Sequence, residues 1–498
     1  MIPFVRQRSR LFALVLLVAG CARNPVTGKS ELSLVSEDQE IAMGKQTRDE
    51  TLSTFGEYKD PELQALVQRI GMDIAKASER PDLPWEFHVI DDDQVNAFAA
   101  PGGFIFVTRG ILSTMNSEAE LASVLGHEIG HVTARHTASQ VTKAQLAQLG
   151  LGVGMIVSPT LRSMGGALSQ GLQVLFLKFG RDAESQADAL GFRYMVADGY
   201  DPNGAEEMFR TLERVSTRTG QRLPEWASTH PDPGNRVAAA AHRIDSLEKA
   251  GAKVASLKDN GPQFVRLLDG MTYGADPRNG FFRGNTFYHP DLRFQLTIPQ
   301  GWKAANLPDQ VVTQSPQGDA AVQLQVGQGS PEQAAQKFFQ QQGLQAGQVT
   351  RGSVNGLQTV AGNFSAQTQD GTPITGSAAF LSYGNRTYAL IGMAASGQNG
   401  GADVSGPFRE VLQSFRPLSD PALLNVRPAT VRTVRVPRDM TVQQFNSEFP
   451  STIAIEEVAL INGVDGPSST LPAGHLGKQV LGGLGPQQSA RDNSVGSR

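Results

Sequence analysis

One cysteine, Cys21, stands in 498 residues, so no disulfide can close within the chain. Histidine is scarce too, with eight in all, which gives weight to any pair at metal-binding spacing. Charged residues make up 18% of the chain and sum to -4. No basic stripe or basic–aromatic alternation is present, which argues against nucleic-acid binding. Long apolar runs are missing as well: Leu11 to Val18 falls well short of the about 20 residues that cross a bilayer, and no later segment reaches that length. What the chain does have is 40% hydrophobic residues, ample for folded cores, over a length that predicts about three domains.

Arg6, Arg8 and Arg10 precede that short apolar run, the pattern of a secretory signal at residues 1–20. The run ends in Val18-Ala19-Gly20-Cys21, which resembles a bacterial lipobox. The resemblance implies that Cys21 becomes the lipidated first residue of the mature protein and anchors it to a membrane. Residue 22 is alanine and not aspartate, which by the same resemblance implies the outer membrane, facing the periplasm.

His127-Glu128-Ile129-Gly130-His131 places two imidazoles four residues apart. On a helix they project from one face and can grip a single ion. The helix is predicted from Ser117-Glu118-Ala119-Glu120, read as a capping box, and from Leu121, Val124, Leu125 and Val132 at helical spacing. The pattern is the zincin signature: zinc held by two histidines and one further ligand keeps a position for water, whose pKa it lowers, and Glu128 would take that water's proton. The plain alternative is an ordinary amphipathic helix. His136, nine residues past His127, is expected on another face, either solvated or touching a ligand from outside.

A third ligand is offered by Arg181-Asp182-Ala183-Glu184-Ser185-Gln186-Ala187-Asp188. Glu184 opens a second helical pattern (Ala187, Phe192, Met195, Val196), and Asp188 lies one turn beyond it on the same face. Glu184 as ligand and Asp188 as acceptor of a ligating histidine's outer N–H would come from one helix. Asp182 is the competing ligand, and a solvated acidic face is the plain alternative.

These residues resemble the membrane-associated zinc endopeptidases of metallopeptidase family forty-eight, which include CAAX prenyl proteases and periplasmic lipoprotein proteases of outer-membrane quality control. Four blocks carry the resemblance: Asn24-Pro25-Val26-Thr27-Gly28 with Leu32-Ser33-Leu34-Val35-Ser36, Asn96 to Gly103, and the two metal blocks. It implies one zinc ion per chain on His127, His131 and Glu184, with Glu128 as general base and Asp188 as an orienting residue. The likeness extends to Ser228-Thr229-His230-Pro231 and Arg236, where the family places a histidine and an arginine beside the metal. Either could stabilise the oxyanion of the transition state. His230 could instead ligate the open zinc position and hold the enzyme latent, or simply face solvent in a turn.

Phe104 to Thr108 reads as a compact apolar strand at a sheet edge, where extended substrates could pair through main-chain hydrogen bonds with little regard to sequence. A central strand with no free edge is the alternative. Residues 147–179 are nearly uncharged and broken by Pro159 and Gly165-Gly166, and read as one or two amphipathic helices flanking the cleft, dipping into lipid or covering the site as a lid, against plain core helices with a loop between. The expected fold is α+β: a mainly helical zincin catalytic domain with a small sheet over 21–255, an α+β sheet domain over 286–418, and a small βααβ module over 430–481. The second shows alternation at Leu292, Phe294, Leu296 and Ile298 and loosely resembles photosystem oxygen-evolving accessory domains. The third resembles LysM modules, which implies peptidoglycan as a partner, against plain protein binding or packing. Residues 482–498, rich in Gly, Ser and Gln, are expected to be disordered.

The function expected is a zinc-dependent endopeptidase acting on unfolded or misassembled envelope proteins. The rivals are a chaperone-like assembly lipoprotein that binds extended polypeptides with little cleavage, and a cell-wall hydrolase using the same metal.

Overall fold

A computed structural model of the chain describes residues 21–148, 179–218, 230, 235–367, 372–395 and 403–484. The leader at 1–20, residues 149–178 of the uncharged stretch, residues 228, 229 and 231, and the tail from 485 lie outside the described residues. The fold is mixed α+β and divides into two compact units, residues 1–275 with 430–481, and residues 276–429 with 482–498. No helix among the described residues is long and apolar enough to cross a membrane.

In the first unit, helix α1 (Glu37–Phe55) starts on a full capping box between Ser36 and Gln39, and α2 (Pro61–Lys76) starts on Asp60 with proline in its first turn. A three-stranded sheet follows, made of β1 (Glu86–Ile90), β2 (Ala97–Ala100) and β3 (Phe104–Thr108). Its order is β1-β3-β2, with β3 parallel to β1 and antiparallel to β2. The expectation that Phe104–Thr108 forms an edge is therefore wrong: it is the central strand, with all five residues buried. A short run of uniformly apolar residues has no alternation to tell one position from the other. The free edge beside the metal-binding helix belongs to β2, and that of β1 is partly taken by a bridge to Glu57.

A short helix α3 (Arg109–Thr114) leads into α4 (Glu118–Thr133), whose sixteen residues are all buried. Ser117 Oγ accepts from Glu120 N at 3.2 Å as the capping box predicts, but the Glu120 carboxylate reaches one residue further back, to Asn116 N at 3.0 Å. Arg135, in the left-handed region at φ 59°, ends α4 and turns the chain into α5 (His136–Gln148). Helices α6 (Arg181–Ala197), α7 (Asn203–Arg218) and α8 (Arg236–Lys249) complete the helical part.

Residues 430–481 belong to this unit. They run as strand Ala429–Arg435, helices Val442–Glu448 and Ile455–Ile461, and strand Leu476–Gly482, with Met440–Thr441 paired to Thr470–Leu471. The two longer strands join Thr272–Tyr273 in one sheet, and Val431 is part of the core that also holds Leu121, Leu125 and Ile129 of α4.

The second unit carries an antiparallel seven-stranded sheet running from Lys303–Asn306 at one edge to Gln345–Val354 at the other, and a four-stranded sheet built on Phe294–Thr297. Helices Pro331–Phe339 and Ser405–Ser414 pack on it over aromatic-rich cores.

Candidate metal centre

His127 and His131 turn from one face of α4, their Nε2 atoms 3.0 Å apart. Helix α6 crosses α4 backbone against backbone, because Gly126 and Gly130 on one and Gly191 on the other leave no side chain between them. A Cβ on Gly191 would lie 2.6 Å from His127 N, and one on Gly126 would lie 2.9 Å from Gly191 O. This close crossing delivers Glu184, with Oε2 3.6 Å from His127 Nε2 and Oε1 3.5 Å from His131 Nε2. His230 completes the set, with Nδ1 3.3 Å from His127 Nε2 and 3.2 and 3.3 Å from the Glu184 oxygens. All four side chains are buried, and each offers one atom within 4.8 Å of the others. Asp182, the competing ligand, is exposed and outside the group.

The donor set suits zinc. Bonds of about 2.05 Å in a tetrahedral array put ligand atoms about 3.3 Å apart, and five of the six separations here run from 3.0 to 3.6 Å. Three ring nitrogens and a carboxylate converging in a buried pocket are rich in lone pairs and poor in hydrogens, the composition a divalent cation satisfies. Burial and the imidazoles of His127, His136 and His230 push His131 well below its ordinary value, which keeps the ring in the neutral form that binds metal. Burial drives the Glu184 carboxyl up, but His230, His127 and Arg236 outweigh it and hold the group ionised.

Glu128 sits beside the four, buried, and its Oε1, 3.8 Å from His230 Nε2, has no hydrogen-bond partner among the described residues. A buried carboxylate oxygen left open is rare unless a water or substrate completes it. Burial lifts its pKa, opposed by His230 and His127.

Behind the metal face, Asp188 Oδ1 lies 2.9 Å from His127 Nδ1 and so fixes which nitrogen faces the pocket. Arg236 grips the same carboxylate through Nε at 2.9 Å and through Nη2, with its guanidinium 4.4 Å from the Phe209 ring centre. Burial would raise Asp188, but Arg236 and His127 overcome it and hold the carboxyl well below its usual range. Cys21 opens a short antiparallel pair, Cys21–Arg23 with Ser30–Leu32, and Asn24 Nδ2 donates to Ala134 O at 3.3 Å just past the end of α4.

His136 follows the second of its two expected readings, touching a ligand from outside. The left-handed turn at Arg135 moves it off α4, and its Nδ1 lies 2.9 Å from His131 Nδ1 while Nε2 lies 3.0 Å from Gln186 Oε1. It is buried and braces a candidate ligand from outside, so it is not solvated. Phe179, whose ring centre is 4.2 Å from that of His131, and Gln186 also shape the pocket, and neither stands in a motif that would have singled it out.

Residues 61–244 match Peptidase family M48. The mitochondrial metalloendopeptidase OMA1 of Schizosaccharomyces pombe is 33% identical over 218 residues, covering 43% of this chain and 63% of that protein. The beta-barrel assembly-enhancing protease of Yersinia pestis is 31% identical over 261 residues, covering 51% and 52%. The protein of the same name from Escherichia coli is 30% identical over 234 residues, covering 45% and 47%. The chain thus spans from about half to just under two thirds of the length of these relatives. Among solved structures, that of CyanoP from Synechocystis is similar at a TM-score of 0.22 and 13% identity, over 26% of this chain and 91% of that one. Residues 61–244 thus combine the match to Peptidase family M48 with an HExxH helix whose two histidines meet Glu184 of α6 at zinc-ligand spacing.

Proposed function

We propose that the chain is a zinc-dependent endopeptidase that cuts unfolded or misassembled proteins of the bacterial cell envelope. The observation that carries this reading is the convergence of His127, His131 and Glu184 at ligand spacing beside Glu128, whose Oε1 has no hydrogen-bond partner among the described residues. Bound zinc supplies Lewis acidity and a water of lowered pKa. Glu128 Oε1 then accepts a proton from the attacking water and returns it to the leaving amine nitrogen. Asp188 holds the His127 ring, and Arg236, committed to that carboxylate, acts through it and not on the substrate. An extended substrate would lie along β2, the edge that Phe104–Thr108 does not provide. Envelope substrates are supported by the name of the Yersinia and Escherichia relatives, beta-barrel assembly-enhancing protease.

The reading includes lipidation of Cys21, an outer-membrane position facing the periplasm, and the domain division 21–255, 286–418 and 430–481. The last of these keeps the strand–helix–helix–strand order of a LysM-like module and would present the anchored enzyme to peptidoglycan. The test is purified protein: one zinc per chain by elemental analysis, with cleavage of an unfolded polypeptide that stops on chelation and returns with zinc. Folded protein without zinc, or muropeptide release without polypeptide cleavage, would overturn the reading.

His230 occupies the fourth ligand position by distance, which favours the latch over oxyanion contact. His230→Ala is then expected to raise cleavage about tenfold, the gain when the open state is populated about one tenth of the time. A fall in rate would instead assign His230 to the transition state, and no change would leave it neither role. A latched resting state is also what a mainly substrate-holding protein would have, so the same variant separates that rival from the protease.

A further inference from the structure

Strand Leu476–Gly482 carries a lysine on its apolar face: Lys478 alternates with Leu476 and Val480 and is fully buried. Lysine is almost never buried unless its ammonium is paired. Here Nζ donates to Ser113 O at 2.9 Å and Met115 O at 2.7 Å, the carbonyls where α3 ends and just before Ser117 caps α4. Its charge faces the buried Glu120 in the first turn of α4. Asn462 clasps the lysine's own backbone, accepting from Lys478 N at 2.7 Å and donating to Lys478 O at 2.8 Å.

Other contacts tie the same segment to the same unit. Val431 exchanges backbone bonds with Met271 and Gly270, and Arg214 of α7 binds Gly463 O at 3.1 Å and Asp465 Oδ1. The far end of α4 is held in a comparable way, by Arg80 Nη1 donating to Val132 O at 3.0 Å and to Glu40 at 2.8 Å. His127, Glu128 and His131 lie between these two fixed ends.

We propose that residues 430–481 form a built-in clamp on α4, with Lys478 a positioning residue that sets the register of the metal-binding face. The activity readout rests on the zinc-peptidase reading above; the clamp itself does not. Burial pushes the Lys478 ammonium down to about 7, and burial with the Glu207 carboxylate pushes Glu120 up to about 8, while each group of the pair favours the charged form of the other. Removing one leaves the other buried and uncompensated.

The test uses the full chain. In Lys478→Met, amide exchange over residues 117–124 is expected to speed up at least about tenfold, and zinc affinity to fall about 10–100-fold. Turnover should fall with KM held within about twofold, because the loss is in geometry at the metal and not in substrate binding. Asn462→Ala, which keeps the ammonium but loosens its backbone, should fall between this variant and the parent, and it carries the test if Lys478→Met does not fold. Adding Glu120→Gln to Lys478→Met should restore part of the loss, since the amide keeps the Asn116 bond without the stranded charge. Unchanged exchange over 117–124, or loosening confined to 430–481 with zinc affinity intact, overturns the proposal. If the parent itself neither binds zinc nor cleaves polypeptide, the peptidase reading fails while exchange still reads the clamp.

Discussion

Glu128→Gln protein should bind zinc as the parent does and cleave polypeptide about 10²–10⁴-fold more slowly, the range lost with a positioned general base. The substitution is nearly isosteric in a pocket where Glu128 is 1% exposed, so packing should survive. Only the lone pair that takes the proton is compromised. Burial lifts the Glu128 carboxyl above its ordinary value, opposed by His230 and His127, whereas a glutamine has no acid–base pair to offer. Elemental analysis and steady-state kinetics on one preparation decide the matter. Loss of zinc together with activity would make Glu128 structural, and full activity would dismiss it as the base.

Gly191→Ala tests what brings the ligands together. Its new methyl would meet His127 N at 2.6 Å and Gly126 C at 2.8 Å, main-chain atoms that cannot swing aside as a side chain can. Overpacking of this kind costs about 1–3 kcal/mol, or a Tm loss of a few to about 10 °C for a domain of this size. The functional loss should be larger. Separating α4 from α6 pulls Glu184 away from His127 and His131, and a misplacement of about 1 Å costs about 100-fold in rate. Gly352→Ala, where the methyl meets nothing, is the control and should leave both unaltered. A Gly191→Ala protein with the parent's Tm and zinc affinity would mean that the helices do not set the cage.

The metal centre was legible because its chemistry demands local spacing. Histidines at i and i+4 need only a helix to meet, and Glu184 with Asp188 repeats that logic on α6. What could not be read was whatever depends on partners distant in sequence. Phe104–Thr108 looked like an edge because its ladder neighbours lie in other segments. That His136 touches His131 and does not face solvent could not be read, because a single left-handed residue, Arg135, interrupts a pattern that otherwise continues. Lys478 did leave a trace, a charge at an apolar position of an alternating strand, but nothing in the sequence names Ser113 and Met115 as its acceptors.

Lys478 and Ser113 are 365 residues apart in the chain. At a synthesis rate of about 5–20 residues per second, roughly 20–70 s pass between the making of the carbonyl and the arrival of the ammonium that binds it. During that interval α4 lacks the contact at its Ser117 end, so the helix forms first and the clamp of residues 430–481 closes on it afterwards.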